Sequence, residues 1–424
     1  MENDPAIYMK AEIRMKYILI IGDGMADNPV PELDGKTPLE AADKAFIDSM
    51  AAKSRVGSVL TVPAGQKPGS DTAIMSIFGY DPCRYLKGRS PLEAAGMGII
   101  VEEGYVSFRC NMISLEEGDK PFGEKIIYSH NAGSIDGETS IAAITQLCAD
   151  PEFKAALEEL RMTVSPTPSF RHIVQQKGGD IEGIVMKPPH DILGQAIGSY
   201  AFTGNDNAGK IWKLMELANR KLEKMPANLK RKAEGKMPVN GIWLWAEGSG
   251  MQLPDFKETY GHYGSVISAV PLVHGIAALA GLKPVEIEGA TGEVDTNYAG
   301  KLQAAKDALL TEDDFLCVHL EAPDEATHNG SLSDKLLAIW QLNTLVVKPL
   351  VEWMQERGMD HRILMLSDHK TLMSTKTHDG DPVPYLIYDS TAPVESGCRY
   401  TEADGEKGLF VARGTELMSM LFQK

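Results

Sequence analysis

A chain of 424 residues, 43% hydrophobic and 24% charged, has the make-up of a folded globular protein and is too long for one ordinary core, so two domains are expected. Its formal net charge of −17 excludes the clustered cationic surface that nucleic acid requires, and leaves an anionic small molecule possible only where a few cations or a metal are held locally. Five scattered cysteines without a Cys-x-x-Cys pair argue against a disulfide framework or thiolate zinc site and fit a reducing cytoplasm, and the lack of a long apolar run argues against secretion and membrane spanning.

Residues 1–15 read as a loose start. The apolar run Tyr17-Ile18-Leu19-Ile20-Ile21 predicts a strand buried on both faces in a parallel sheet. It ends in Gly22-Asp23-Gly24, and an Asp at the carboxyl end of a central strand stands where open α/β sheets place their ligands; a turn Asp capping the next segment is the alternative. Thr37 to Ala52 reads as an amphipathic helix entered through Thr37-Pro38, and Val56 to Val62 as another strand. It leads into Lys67-Pro68-Gly69-Ser70-Asp71-Thr72-Ala73. Small residues before Ser70 leave room for a bulky anion, and the apolar run Ala73 to Phe78 predicts a helix with free N–H groups in its first turn. Alone, a Gly-Ser pair before a helix is more often a simple N-cap.

From Val101 the texture changes to alternating strands, Tyr105 to Met112 among them, followed by a helical stretch from Thr139 to Leu160. This predicts a smaller α+β domain. A helix from Asn207 to Lys224 precedes the basic, proline-terminated stretch Asn228 to Pro238, read as a linker or hinge whose charge run can equally be a solvated face. Then the parallel-sheet pattern returns in Gly241 to Trp245, Ser265 to Val270, Phe315 to Leu320 and Ile363 to Ser367, with helices such as Leu332 to Gln355 between. The expected fold is α/β, a doubly wound sheet from residues 1–85 and 236–424 with an α+β domain, 86–235, inserted. No internal repeat interrupts it.

The returning strands end in metal-ligand residue types. After Leu320, Asp324 and His328 are four apart and would share one face of a helical turn. Strand 363–367 runs into Asp368-His369, and His378 follows nine residues later. Each alone has a bland reading, a solvated or hydrogen-bonded loop residue. With Asp23 they offer three carboxylates and three imidazoles at strand ends, enough for two metals with mixed oxygen and nitrogen ligands. A phosphate monoester would need them: such bonds are cleaved with enzymatic accelerations up to ~10²¹, and a serine hydroxyl is a poor nucleophile near neutral pH unless a metal eases its ionisation.

The order and spacing of Gly22-Asp23-Gly24, Asp34 to Ala42, Pro68-Gly69-Ser70-Asp71, Gly79-Tyr80-Asp81-Pro82, Pro91 to Ala94, Phe108 to Asn111, Phe170-Arg171-His172, Asp324 to His328, Asp368-His369 and His378 resemble the cofactor-independent phosphoglycerate mutases of the archaeal type, within the alkaline phosphatase superfamily. The resemblance implies an alkaline-phosphatase-like sheet, with Asp324, His328 and His378 binding one metal and Asp23, Ser70, Asp368 and His369 the other. Mn²⁺ is the first expectation and Zn²⁺ or Co²⁺ the alternatives. It further implies that Ser70 becomes a phosphoserine and that the inserted domain closes over a small phosphorylated hydroxy acid. Arg109, Arg171 and Lys257 are assigned to the substrate's anionic groups, with an ordinary surface charge, or for Arg109 a structural ion pair, as the alternative. His130 is a lesser substrate-binding candidate and, like His190, could carry protons.

The implied reaction interconverts 3-phosphoglycerate and 2-phosphoglycerate. Gly24-Met25-Ala26-Asp27 and Lys370 resemble instead a bacterial branch of the family proposed to phosphorylate homoserine, so a related phosphotransferase acting on another small hydroxy acid is the alternative. A metal-dependent phosphomonoesterase would share the same site. Whether the protein is a monomer or a homo-oligomer stays open.

Overall fold

The computed structural model describes residues 15–423; residues 1–14 of the loose start lie outside the described residues. One compact unit comprises the described residues up to Leu86 and from Leu253 onward, and a second comprises Lys87–Gln252.

The first unit is built on an eight-stranded sheet among the described residues, in the order Leu409–Val411, Arg55–Val59, Val383–Asp389, His361–Leu366, Lys16–Gly22, Phe315–Leu320, Gly264–Ile267 and Lys283–Val285. Ile18 to Ile21 are wholly buried, because parallel neighbours flank their strand on both sides and helices cover both faces of such sheets. The register Gly22↔Leu320 and Ile21↔Leu366 brings three strand ends level, so Asp23, Glu321 and Ser367 leave the sheet at one edge. Val383–Asp389 runs antiparallel to both its neighbours, which makes the sheet mixed.

Two helices predicted in this unit are interrupted. Thr37 and Glu40 form a capping box over Pro38–Ala41, but the chain turns extended at Ala42 and restarts as Ala45–Ala51. The restart is served by distant partners: Asn343 Oδ1 accepts the Ile47 N–H at 2.9 Å, and buried Lys44 pairs with Asp48. The stretch from Leu332 stays helical to Glu356 but opens into a π-helical segment at Leu342–Val347. Pro349 has no N–H for the Leu345 carbonyl and its ring would strike that oxygen, so the wider turn relieves both problems.

The second unit holds an antiparallel sheet in which the long strand Tyr105–Leu115 pairs with Ile127–Ser129, Arg171–Lys177 and Gly241–Ser249, and Arg171–Lys177 pairs in turn with Met162–Ser165. Helices Gly137–Ala149, Pro151–Glu159 and Asp206–Leu222 contribute to its apolar core. The first two divide at Asp150, whose carboxylate accepts from Glu152 N and Phe153 N while Pro151 takes the first helical position.

Two expectations are corrected in this unit. Gly241–Ser249 registers with Tyr105–Leu115 through Asn111↔Trp243 and Arg109↔Trp245, so it belongs here, and the chain returns to the first unit after Gln252 instead of near residue 236. A short continuous apolar run reads alike in a parallel or an antiparallel core strand. Nor is 228–238 a hinge: Pro226–Ala233 is helical, Asn228 is fully buried and accepts the Val239 N–H, and Arg231 donates to the Ala132 and Met237 carbonyls. No described helix is long and apolar enough to cross a membrane.

His172 makes this unit acid-sensitive. It is wholly buried, its Nδ1 accepts the Thr167 N–H at 3.1 Å, its Nε2 lies 3.1 Å from Ser140 Oγ, and burial pushes its pKa down to about 4. Unfolded, it would take a proton near its ordinary value of about 6.5. The unfolded chain therefore binds more protons between these values, and the stabilisation present above about pH 6.5 is lost as pH falls toward 4. Melting temperatures at pH 7 and pH 4.5 should differ less in His172→Gln than in the parent chain; an unchanged difference would contradict this.

Candidate active site

The level strand ends assemble two groups of potential metal ligands, Asp23 with Asp368 and His369, and Asp324 with His328 and His378. Asp23 follows the central strand and is nearly wholly buried, as are Asp368 and His369 beyond the neighbouring strand. His369 Nε2 lies 3.2 Å from Asp368 Oδ2 and 3.6 Å from Asp23 Oδ1. Asp368 Oδ1 accepts the N–H groups of Gly24 and His369. The remaining oxygens, Asp23 Oδ1 and Asp368 Oδ2, are buried and accept no hydrogen bond. Two buried carboxylate oxygens left without donors are the donor set that a hard or borderline divalent cation satisfies.

Asp324 and His328 lie on the helix Ala322–His328, which brings His328 Nε2 to 3.1 Å from Asp324 Oδ2. The short strand Thr377–Asp379 adds His378, with its Nε2 3.5 Å from Asp324 Oδ1 and 2.9 Å from His328 Nε2. Lys376 O lies 2.8 Å from His328 Nδ1, a carbonyl acceptor that leaves Nε2 for a ligand bond. The two groups adjoin, since the His369 and His378 ring centroids are 4.2 Å apart. Gly24 is demanded by this crowding: at its φ of +61°, a Cβ would come 2.5 Å from Thr371 Oγ1 and 2.7 Å from Asp324 Oδ1.

The charge balance favours cations. Burial, then the Asp368 carboxylate, push Asp23 well above the usual carboxylate range. Burial alone would do the same to Asp324, but hydrogen bonds from His328 and His378 outweigh it and hold Asp324 well below that range. His328 is raised to about 9, chiefly by its bond to Asp324, while burial lowers His369. Protons thus stand in where a metal would relieve the crowding of carboxylates.

Ser70 opens the helix Ser70–Ile77, and the capping position is Gly69, with no side-chain cap bond. The simple N-cap reading of Ser70 therefore does not hold. Its hydroxyl lies 3.4 Å from Asp23 Oδ2 and 3.3 Å from His369 Nε2. Of the first-turn amides, that of Thr72 is engaged by the Asp71 carboxylate.

His319 escaped the sequence reading. It lies inside the buried strand Phe315–Leu320 and puts Nε2 3.1 Å from Asp23 Oδ2, with Nδ1 3.0 Å from Ser268 Oγ. Burial pushes it down to about 4, so it is neutral, and it engages Oδ2 of Asp23 while Oδ1 is left over. Its signal was a histidine in an otherwise apolar central strand, where a polar side chain needs a partner.

Lys257 is not brought to these groups. It sits exposed on Phe256–Tyr260, 4.8 Å over the Tyr263 ring. Tyr263 precedes the start of Gly264–Ile267, beside Asp314, at the opposite end of the parallel strands from Asp23. Lys370 reaches Asn28 Oδ1 at 3.0 Å.

Within the second unit, Arg109, Arg171, His130 and His190 do come together. Glu93 accepts an ion pair from Arg109 and lies 3.4 Å from Arg89 Nε and 3.8 Å from Arg171 Nη1. Trp245 lies under both Arg109 and Arg171, and His190 bridges from the Trp245 ring to that of His130. Arg109 is buried and carries the structural ion pair that was its alternative reading. Arg171 is more open, and burial, then Arg89, lower it to about 10. Three guanidiniums against one carboxylate leave an excess of positive charge suited to an anion.

The chain is similar to known proteins along nearly its whole length. The family profile of 2,3-bisphosphoglycerate-independent phosphoglycerate mutase matches residues 51–228. A protein of that name from Methanosarcina acetivorans is 42% identical over 96% of this chain and 99% of its own length, and one from Methanothrix thermoacetophila is 40% identical over 96% and 99%. A solved protein of Pyrococcus horikoshii shares the fold with a TM-score of 0.75 and 28% identity, covering 96% of this chain and 98% of that one. The cofactor-independent phosphoglycerate mutase of Thermoplasma acidophilum follows with a TM-score of 0.64 and 23% identity, covering 96% and 99%.

Proposed function

This chain belongs to the 2,3-bisphosphoglycerate-independent phosphoglycerate mutase family, and on that premise we propose that it interconverts 3-phosphoglycerate and 2-phosphoglycerate through a phosphoserine at Ser70. The observation that carries the reading is the Ser70 hydroxyl, unused by its own helix and lying against Asp23 and His369, whose carboxylate neighbours keep two buried oxygens without donors.

Two divalent cations, Mn²⁺ first and Zn²⁺ or Co²⁺ as alternatives, would favour the ionised Ser70 and offset charge on the transferring phosphoryl group. Asp324, His328 and His378 are the proposed ligands of one, and Asp23, Ser70, Asp368 and His369 of the other. In the first half-reaction the Ser70 oxygen forms a bond to phosphorus as the bond from phosphorus to the 3-oxygen breaks, and that oxygen takes a proton. In the second, the glycerate 2-hydroxyl gives up its proton and attacks the phosphoserine, whose bond to Ser70 breaks. His130 is suited to move such protons: burial, then His190 and Arg171, hold its pKa down, so it is neutral at pH 7. Arg171 is proposed to hold the glycerate carboxylate, beside an Arg109 held by its ion pair with Glu93. Keeping glycerate in and water out separates a mutase from a phosphatase. The cytoplasmic setting read from the cysteines is part of the same proposal.

Phosphorus NMR of metal-loaded protein tests it, with 3-phosphoglycerate in one sample and homoserine plus a phosphoryl donor in another. Growth of the 2-phosphoglycerate resonance is expected. Free phosphate alone would make the protein a phosphomonoesterase, and phosphohomoserine would make it the related phosphotransferase.

A further inference from the structure

The two candidate metal groups share a single hydroxyl. Thr371 lies wholly buried on the short strand Lys370–Leu372, donates its Oγ1–H to Asp324 Oδ1 at 2.5 Å, and has the same oxygen 3.2 Å from His369 Nδ1. The direction of both bonds follows from the proton inventory. A carboxylate can only accept, so the one hydroxyl proton goes to Asp324, and Oγ1 must accept from His369 Nδ1–H. That selects the His369 tautomer whose Nε2 lone pair is available, and it is Nε2 that faces Asp23, Asp368 and Ser70.

Thr371 has little freedom to do otherwise. Its N–H donates to Ala26 O at 3.1 Å, and its carbonyl accepts from the buried Lys335 Nζ at 2.6 Å. Lys335 is in turn paired with Asp27 at 2.8 Å.

We propose that Thr371 is a positioning residue that couples the two metal centres, orienting Asp324 in one and setting the imidazole tautomer of His369 in the other through the same hydroxyl. The proposal rests on the dinuclear reading above. Each centre then gains when the other is filled, because a filled site holds its end of the shared hydrogen-bond chain in the orientation that the other needs, and such coupling is reciprocal.

Titration of the metal-free full-length protein with Co²⁺ alone, followed by calorimetry and visible absorption, tests this without reference to turnover. The parent chain is expected to bind two Co²⁺ cooperatively. Thr371→Val, close to isosteric, should weaken both sites by about 10-fold or more, the scale of lost second-shell bonds, and abolish the cooperativity, while Thr371→Ser restores both. Melting curves in chelator establish that Thr371→Val folds, and Thr371→Ala takes its place if it does not. Parent-like binding in the variant that folds, or weakening confined to one site, overturns the coupling. A parent chain that binds no Co²⁺ overturns the dinuclear reading and this inference with it, and shows itself before any substitution is made.

Discussion

Ser70→Ala is expected to abolish phosphoryl transfer, by a factor on the order of 10⁶ if loss of this nucleophile weighs as loss of a catalytic serine does elsewhere, while the protein folds normally and still takes up two metals. The separation of effects follows from where the hydroxyl is spent. Gly69 occupies the capping position of the following helix and Ser70 makes no cap bond, so removing the oxygen should change stability by less than about 1 kcal/mol. Its neighbours are Asp23 and His369, which with Asp368 keep three ligands at that centre. Stoichiometry measured by elemental analysis, beside turnover of 3-phosphoglycerate, reads the two effects independently. Substantial turnover in Ser70→Ala would exclude the covalent route; loss of metal together with turnover would make Ser70 chiefly a ligand.

Chelation should be as damaging as loss of the serine, and reversible. Exhaustive treatment with a chelator is expected to eliminate turnover, and Mn²⁺, Co²⁺ or Zn²⁺ to restore it; full activity in demonstrably metal-free protein would refute the dinuclear site. Removing the cations leaves Asp23 Oδ1 and Asp368 Oδ2 buried without donors, so the metal-free protein should also melt earlier. At a free metal concentration 100 times the dissociation constant, the metal is worth about 2.7 kcal/mol of stability per site. The pH dependence has a definite sign. Without metal His328 holds a proton up to about pH 9, through its bond to Asp324, and that proton must leave before the imidazole can act as a ligand. Metal affinity at this centre should therefore climb as pH rises toward 9 and level off above it, as titrations at several pH values would reveal.

Much of the site was legible along the chain because metal-ligand residue types stand immediately after apolar runs. Asp23 after Ile21-Gly22, Asp324 and His328 after Leu320, and Asp368-His369 after Leu366-Ser367 each follow a strand, and parallel strands deliver their carboxyl ends to one edge. Lys257 shows the limit of that logic. It stands before a strand instead of after one, so the same parallel arrangement carries it to the far end. His319 and Thr371 were passed over for a related reason: both lie within short buried strands, where their partners come from segments distant in sequence. The Arg109 assignment met a different limit, since only the fold brings Glu93 against it.

By itself the sequence determined the class of fold and pointed to the candidate nucleophile and candidate ligands, because hydrophobic periodicity and residue chemistry are local properties that survive without coordinates. The tertiary structure decided what depends on pairing and direction. It assigned Gly241–Ser249 to the inserted sheet, where Trp245 lies under Arg109 and Arg171, and made a helix, anchored by buried Asn228 and Arg231, of the supposed hinge. It also decided which oxygens of Asp23 and Asp368 are left without donors. Such facts are relations between distant segments, set by strand register and by the balance of donors and acceptors in a dry interior, and no local pattern encodes them.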